Sequence, residues 1–332
     1  MHCDHEPALQ REGRVPGARA ATARLFIGLI ALVLLCSCNS AQKNFVVVYT
    51  SQDEIYAEPL FRQFEQETGI QVRAVFDSES VKTLGLVNRL KAERGNPQCD
   101  VFWSNEAMLA AMLARENLFC PTNGWAAFGY RSRRLVINTN KLAAAGATLT
   151  NAPPKTFSEL TNQQWRGKVA LAFPLFGTTA SHFAALRGKW GDANWQSWCR
   201  ALMANKPLLL DGNSVVVKQV GRGEAWIGMT DSDDIMAGQR EGLPITALPI
   251  SSETLLIPNT VAVVRSAPHP EAAERLFNFL RQPGVSQQLV AAGVLEGSDR
   301  ASHPQETLPA NWVELSAAFP EVSARLKEIF LR

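Results

Sequence analysis

From residue 45 onward, short apolar runs alternate with stretches whose apolar residues recur at helical spacing. This alternation limits the folds open to the chain more than any other feature. Residues 45–49, Phe-Val-Val-Val-Tyr, read as a buried strand. Ala57, Leu60, Phe61 and Phe64 then fall at i, i+3, i+4 and i+7, which gives one apolar helix face. Pro59 fits the first turn of that helix, so a separate short turn is expected over 53–56. Gly69 ends the helix and residues 70–76 form the next strand. The unit repeats with a helix over 81–94, a loop over 95–98, a strand over 100–103 and a helix over 106–115. Strands and helices in this order predict a mainly parallel sheet covered on both faces.

Beyond Cys120 the pattern changes. Residues 125–130 and 134–138 read as two strands separated by the polar break Arg131-Ser132-Arg133. A Pro/Asn-rich loop over 150–155 leads to a second α/β series, with strands near 168–173, 225–230 and 245–249. An extended apolar segment over 255–264 follows, then a helix opened by Pro270 with Ala273, Leu276, Phe277 and Leu280 on one face. A chain of 332 residues, 46% hydrophobic, is long enough for two domains. The expected fold is α/β with two lobes, each built on a mainly parallel sheet, joined by two extended crossings. Residues 45–134 with 262–310 make the N-terminal lobe, 135–261 the C-terminal lobe, and 311–332 a C-terminal helical segment.

The first residues carry a different message. Arg19 and Arg24 precede an apolar run over 25–35, which meets Leu35-Cys36-Ser37-Cys38. The run is too short to span a bilayer and has the layout of a secretory signal. The Leu-Cys-Ser-Cys spacing fits lipid attachment at Cys38, with ordinary soluble export as the other reading. Residues 1–37 are then the signal peptide and 38–44 a tether, which puts the protein in the periplasm or cell envelope with the lipid as its membrane contact. Lys and Arg number 33 against 31 Asp and Glu, too balanced for a nucleic-acid partner, which needs a clustered basic face. No Cys/His spacing resembles a zinc site. Cys99 before a strand and Cys120 after the helix leaving it sit at adjacent ends of one unit. In an oxidising compartment they either form a disulfide or stay as two small core residues.

Several stretches in order resemble the extracellular solute-binding proteins of ABC importers that are related to ferric-ion-binding proteins. They include Val48-Tyr49-Thr50-Ser51-Gln52-Asp53, Phe64-Glu65-Gln66-Glu67-Thr68-Gly69-Ile70 and Asp100-Val101-Phe102-Trp103-Ser104-Asn105-Glu106. Arg131-Ser132-Arg133, Asn213-Ser214-Val215, Gly228-Met229-Thr230-Asp231 and Ile257-Pro258-Asn259-Thr260 continue the series. The resemblance implies capture of a small-molecule or metal ligand by closure of two lobes, and delivery to a membrane permease. It implies no cofactor other than a transported metal cation with a companion anion. Iron(III) or another hard cation with such an anion comes first, and a polyamine or an aminophosphonate is the alternative. The family's iron ligands are a His, a Glu and a Tyr pair. Their positions fall here at Asp53, at Asn105 with Glu106 following, and at Ser232-Asp233, so the His and both tyrosinates are missing. Thr178, Thr179 and Asn213 match the positions that hold the companion anion.

Ligands of open parallel sheets bind beyond the carboxyl ends of strands. That rule selects Ser51, Gln52 and Asp53, then Trp103, Asn105 and Glu106, then Thr178 and Thr179 at a helix start, and finally Thr230, Asp231 and Asp233. Asp53, Asp231 and Asp233 are the metal candidates. Carboxylates crowded at one strand end repel one another, and a cation relieves that repulsion. Equally, Asp231 or Ser232 can cap the helix that runs to Arg240, with Asp233 and Asp234 complementing its dipole. Trp103 is either core or an aromatic wall, and His182 is either structural or a ligand. An exported enzyme is the rival class, but no Gly-x-Ser-x-Gly elbow, His-Glu-x-x-His or P-loop is present.

Overall fold

The computed structural model describes residues 44–77, 84–122, 124–145, 152–298 and 306–331. The signal segment and Cys38 lie outside them, as do the start of the helix expected over 81–94 and part of the 150–155 loop.

The first α/β series forms as expected. β1 (Phe45–Thr50) leads to α1 (Glu54–Thr68), β2 (Gln71–Phe76), α2 (Leu84–Ala92), β3 (Val101–Ser104) and α3 (Ala107–Arg115). β1 runs parallel to both β2 and β3. Side chains alternate across the sheet. Val46, Val48, Val101 and Trp103 join Leu60 and Phe64 of α1 on one face, while Tyr49 and Phe102 join Val87 and Leu113 on the other. The separate turn expected over 53–56 does not exist, because α1 is continuous and carries Pro59 internally. Pro59 removes the hydrogen bond to the Ile55 carbonyl. Both residues are exposed, so water can take that carbonyl.

The break expected at residues 131–133 is also absent. β4 (Trp125–Asn138) is one strand of 14 residues that changes partners along its length. Residues Trp125 to Ser132 pair antiparallel with β9 (Leu256–Val263), and Arg133 to Ile137 with β7 (Ile227–Asp231). A register shift between Ala127 and Tyr130 surrounds Gly129, whose φ of +108° an L side chain rarely adopts.

The second series follows with α4 (Thr139–Ala145), β5 (Val169–Ala172), α5 (Gly177–Trp190), α6 (Asp192–Ala204), β6 (Leu208–Leu210) and α7 (Asn213–Arg222). After β7 come α8 (Ser232–Arg240), β8 (Ile245–Ala247), β9, α9 (Pro270–Leu280), α10 (Pro283–Ala291) and α11 (Trp312–Phe330). β5 lies parallel to β6 and β7. Strand order along the hydrogen-bonded path is β2-β1-β3-β9-β4-β7-β5-β6, with β8 on β4. The sheet is therefore parallel at both outer ends and antiparallel through the middle. At the second end, α5, α6 and α11 cover one face, and α7 and α8 the other. None of the described helices is long and apolar enough to cross a membrane.

The fit of α7 on the sheet is tight at Gly228 of β7. A Cβ there would sit 2.6 Å from Val216 Cγ1 and 2.9 Å from Val136 Cγ1. Gly228→Ala should therefore destabilise the protein by about 1–3 kcal/mol, the usual cost of overpacking a filled core. A urea titration of wild type and variant reads that difference.

Cys99 and Cys120 are free thiols, so the expected disulfide is not present. Cys99 points into the core under α2 and α3, and its thiol donates to the Val101 carbonyl at 3.2 Å. Cys120 packs against the core on the opposite face of the sheet. Residues at adjacent ends of one strand–helix unit can still face opposite ways, because strand side chains alternate.

Candidate functional site

The carboxyl ends of β1, β3, β5 and β7 all lead into helix N-termini around one cleft of about 700 Å³. Asp53 lies there after β1, and Asn105 with Glu106 after β3. Thr178 and Thr179 come from the start of α5, Asn213 from the start of α7, and Asp231, Asp233 and Asp234 from the start of α8. Eight of the residues expected to contact ligand thus line one cavity: Asp53, Asn105, Glu106, Thr178, Thr179, Asn213, Asp231 and Asp233.

The other four lie behind the wall. Trp103 is fully buried and packs edge-on against Phe61, with ring centroids 5.7 Å apart, and against Phe128. It is core, and the aromatic-wall reading fails. Ser51 is buried and exchanges hydrogen bonds with Asn105, accepting from its backbone N–H at 3.1 Å and donating to its Oδ1 at 3.0 Å. Gln52 is buried, and its backbone N–H donates to Thr50 Oγ1. Thr230 donates to the Asn213 carbonyl at 3.1 Å. Ser51 and Thr230 thus hold cleft residues from behind.

Asp233 and Asp234 stand in the first turn of α8, where their charge complements the helix dipole as expected, but Asp231 is not a side-chain cap. Asp231 occupies the N-cap position of α8 but makes no side-chain cap hydrogen bond. Instead it is the hub of a buried network. Arg133, directly opposite it in the β4–β7 register, donates to Oδ1 at 2.7 Å. Thr178 Oγ1 donates to Oδ2 at 2.7 Å, Asn213 Nδ2 at 3.1 Å, and Arg131 Nη2 lies at 3.4 Å. Burial alone would raise the Asp231 carboxyl, but the two guanidinium groups outweigh it and hold the group below the usual range. Arg131 also pairs with Asp233 and reaches the Asn105 carbonyl at 3.3 Å. For Asp231 the cation expected between these carboxylates is thus supplied by the chain itself.

Glu106 is likewise committed. Its carboxylate accepts from the N–H groups of Met108 and Leu109 at 2.9 and 2.8 Å and from the Ser181 hydroxyl, so it caps α3. Full burial pushes its pKa up even against those donors. His182 is structural: its Nε2 lies 2.8 Å from the Glu253 carbonyl, and its ring meets Phe157 edge-on.

Asp233 is different. One oxygen is paired with Arg131, and the other, Oδ1, is buried without a hydrogen-bond partner among the described residues. Burial raises its pKa, and the negative charges of Asp231 and Asp53 add to the shift. The nearest carboxylate oxygens of Asp231, Asp233 and Asp234 lie within 4.8 Å of one another. Both Asp231 oxygens are already engaged, and Asp233 and Asp234 line the cleft beside it.

Sequence reasoning passed over several lining residues. Arg131, with Arg133, reads in the sequence as part of a polar break, either solvated or paired with nearby carboxylates, and the structure shows the pairing. Phe176, Asp211 and Ser214 precede or begin helices, and Leu331 follows α11. The usable signal was the alternation of Arg131 and Arg133, which places both on one face of a strand.

Solved structures with this architecture include iron-bound HitA from Pseudomonas aeruginosa, with a TM-score of 0.72, 18% identity and coverage of 85% of this chain and 99% of that one. The periplasmic binding protein AfuA from Actinobacillus pleuropneumoniae, with fructose-6-phosphate bound, aligns with a TM-score of 0.71 and 16% identity over 87% and 99%. In sequence, the major ferric iron-binding protein of Neisseria meningitidis is 27% identical over 201 residues, 54% of this chain and just over half, 56%, of that relative. Residues 46–295 match the model of a family described as bacterial extracellular solute-binding protein, and with three-quarters of its length inside that match the chain belongs to this family.

Proposed function

We propose that the protein is the ligand-capturing component of an ABC importer, held at the cell envelope by lipid on Cys38, and that its ligand carries a cationic centre. Asp233 carries this reading. Its Oδ1 is a buried acceptor with no donor among the described residues, in a cleft where Asp53, Asp211 and Asp234 add further negative charge. A buried acceptor left unsatisfied costs about 1–3 kcal/mol, which a ligand N–H or a coordinated cation would recover. Residues 45–134 with 262–310 and residues 135–261 act as two lobes that close on the ligand by a hinge through β4. Closure is favourable only if the ligand prefers the closed state, so contacts from both lobes are needed. Asp53 and Asn105 on one side and Thr178 and Asp233 on the other meet that need.

A hard cation such as iron(III) with a companion anion is a second reading. The clustering of Asp231, Asp233 and Asp234 and the ferric-binding relative favour it. It has to do without Asp231, and also without tyrosinate, since the chain's three tyrosines are Tyr49, Tyr56 and Tyr130. An organic amine needs only Asp233 and its neighbours, and therefore ranks first.

Native mass spectrometry with elemental analysis of protein purified from its own envelope separates the two readings. Calorimetry with the ligand so identified then tests the site. Asp233→Asn is expected to weaken binding at least tenfold, and an unchanged affinity removes Asp233 from the site.

A further inference from the structure

Beside its acidic side the cleft has an apolar side. Phe176, the residue before α5, is 55% exposed, and Leu331, the residue after α11, is 59% exposed. Leu175 and Phe173 continue the same wall. Large apolar side chains exposed on a monomer surface are usually scattered, so two of them lining one cavity mark a contact. Their supports are fixed. Phe330, next to Leu331, is buried against Phe183 of α5 with ring centroids 5.7 Å apart, and α11 packs across both α3 and α5. Leu331 is thus delivered to the cleft by a helix anchored to elements on both sides of it.

A bare metal ion with a small inorganic anion has nothing to place against this wall. It would also leave most of a cavity of about 700 Å³ to water. That volume lies within the usual range for small organic ligands, roughly 300–1,000 Å³. We infer that the ligand is an organic cation with an apolar body, its ammonium or equivalent group at Asp233 and its alkyl or aryl part against Phe176 and Leu331. Phe176 and Leu331 are then the specificity-determining residues. This inference rests on the cation-binding reading above and narrows it to one chemical class.

The test uses primary alkylamines of two to eight carbons and phenethylamine as probes, with affinities read by calorimetry on the full mature chain. Affinity should rise about three- to fourfold per methylene once the chain reaches the wall, as expected for burial of each CH₂. Phe176→Ser and Leu331→Ser should each flatten that rise, so that the affinity lost relative to wild type grows with chain length. Both side chains are more than half exposed, so folding is not at stake, and a thermal melt of each variant checks this. Asp233→Asn should lower the whole series by a similar factor without changing its slope. A flat series in the wild type, or a slope untouched by both serine variants, overturns the apolar-body inference and leaves the cation reading standing. No binding by any amine overturns both, and so does a series indifferent to Asp233→Asn.

Discussion

Asp231→Ala is expected to destabilise the protein by about 3–5 kcal/mol, the characteristic cost of removing one partner of a buried ion pair. Asp231 and Arg133 are both fully buried and 2.7 Å apart. Without the carboxylate, the Arg133 guanidinium keeps its charge and stays out of water. Asn213 Oδ1 at 3.0 Å and Thr178 Oγ1 at 3.3 Å then remain as its acceptors. The Arg133 Nε and Nη2 atoms are already buried without hydrogen-bond partners among the described residues, so no spare acceptor is at hand. Thr178 and Asn213 lose their acceptor as well, which adds to the loss. Asp233→Asn provides the contrast. Its side chain is 19% exposed and its partner Arg131 keeps Asp231 as a carboxylate partner, so a loss clearly smaller than that of Asp231→Ala is expected. Urea unfolding of the two variants beside wild type decides the matter. Equal and small losses would mean that the Asp231 network does not hold the start of α8 to β4.

The same network explains what the sequence could and could not disclose. Strand and helix identities in the first series follow from apolar periodicity, which is local, and β1, β2, β3 and α3 fall where the spacing puts them, while α1 begins earlier than Pro59 suggested. The cleft was legible for a related reason. Helix starts after parallel strands gather at one edge, so Asp53, Glu106, Thr178 and Asp231 could be named as neighbours without knowledge of their contacts. What the carboxylates do once gathered was not legible. Arg133 and Asp231 are 98 positions apart, and their pairing depends on the β4–β7 register. Arg131-Ser132-Arg133 has the composition of a turn, and only its burial between β9 and β7 turns it into continuous strand. The Cys99 and Cys120 positions are an instance of the same kind, since proximity of chain ends says nothing about which face a thiol occupies. Leu331 was beyond reach too, because a helix can pack along its neighbours in many ways and local pattern does not select among them.

His182 sets a second large effect, this time on the pH dependence of stability. Its ring is fully buried and its Nε2 lies 2.8 Å from the Glu253 carbonyl. Nδ1 has no hydrogen-bond partner among the described residues. Burial, with the Arg133 charge nearby, pushes its pKa down to about 3 from an ordinary value of 6.5. A histidine depressed in the folded state binds its proton more readily in the unfolded chain. Its neutral form therefore supports the fold fully above pH 6.5, and this support is lost as pH falls toward 3, at about 1.4 kcal/mol per pH unit. Between pH 6.5 and 4.5 the expected loss is about 2–3 kcal/mol. That window lies above the range where Asp231, whose pKa is lowered, begins to take up protons. Glu106 and Asp233, whose pKa values are raised, work in the opposite direction and gain stability on acidification. The wild-type slope is accordingly a sum, and the difference from His182→Gln isolates the histidine, because glutamine can donate to the same carbonyl and does not titrate. Urea unfolding at pH 6.5 and 4.5 should show the gap between the two proteins change by those 2–3 kcal/mol in favour of the variant at the lower pH. Parallel behaviour of the two proteins would mean that the imidazole reaches water, and that the core around Phe157 and Glu253 opens to admit it.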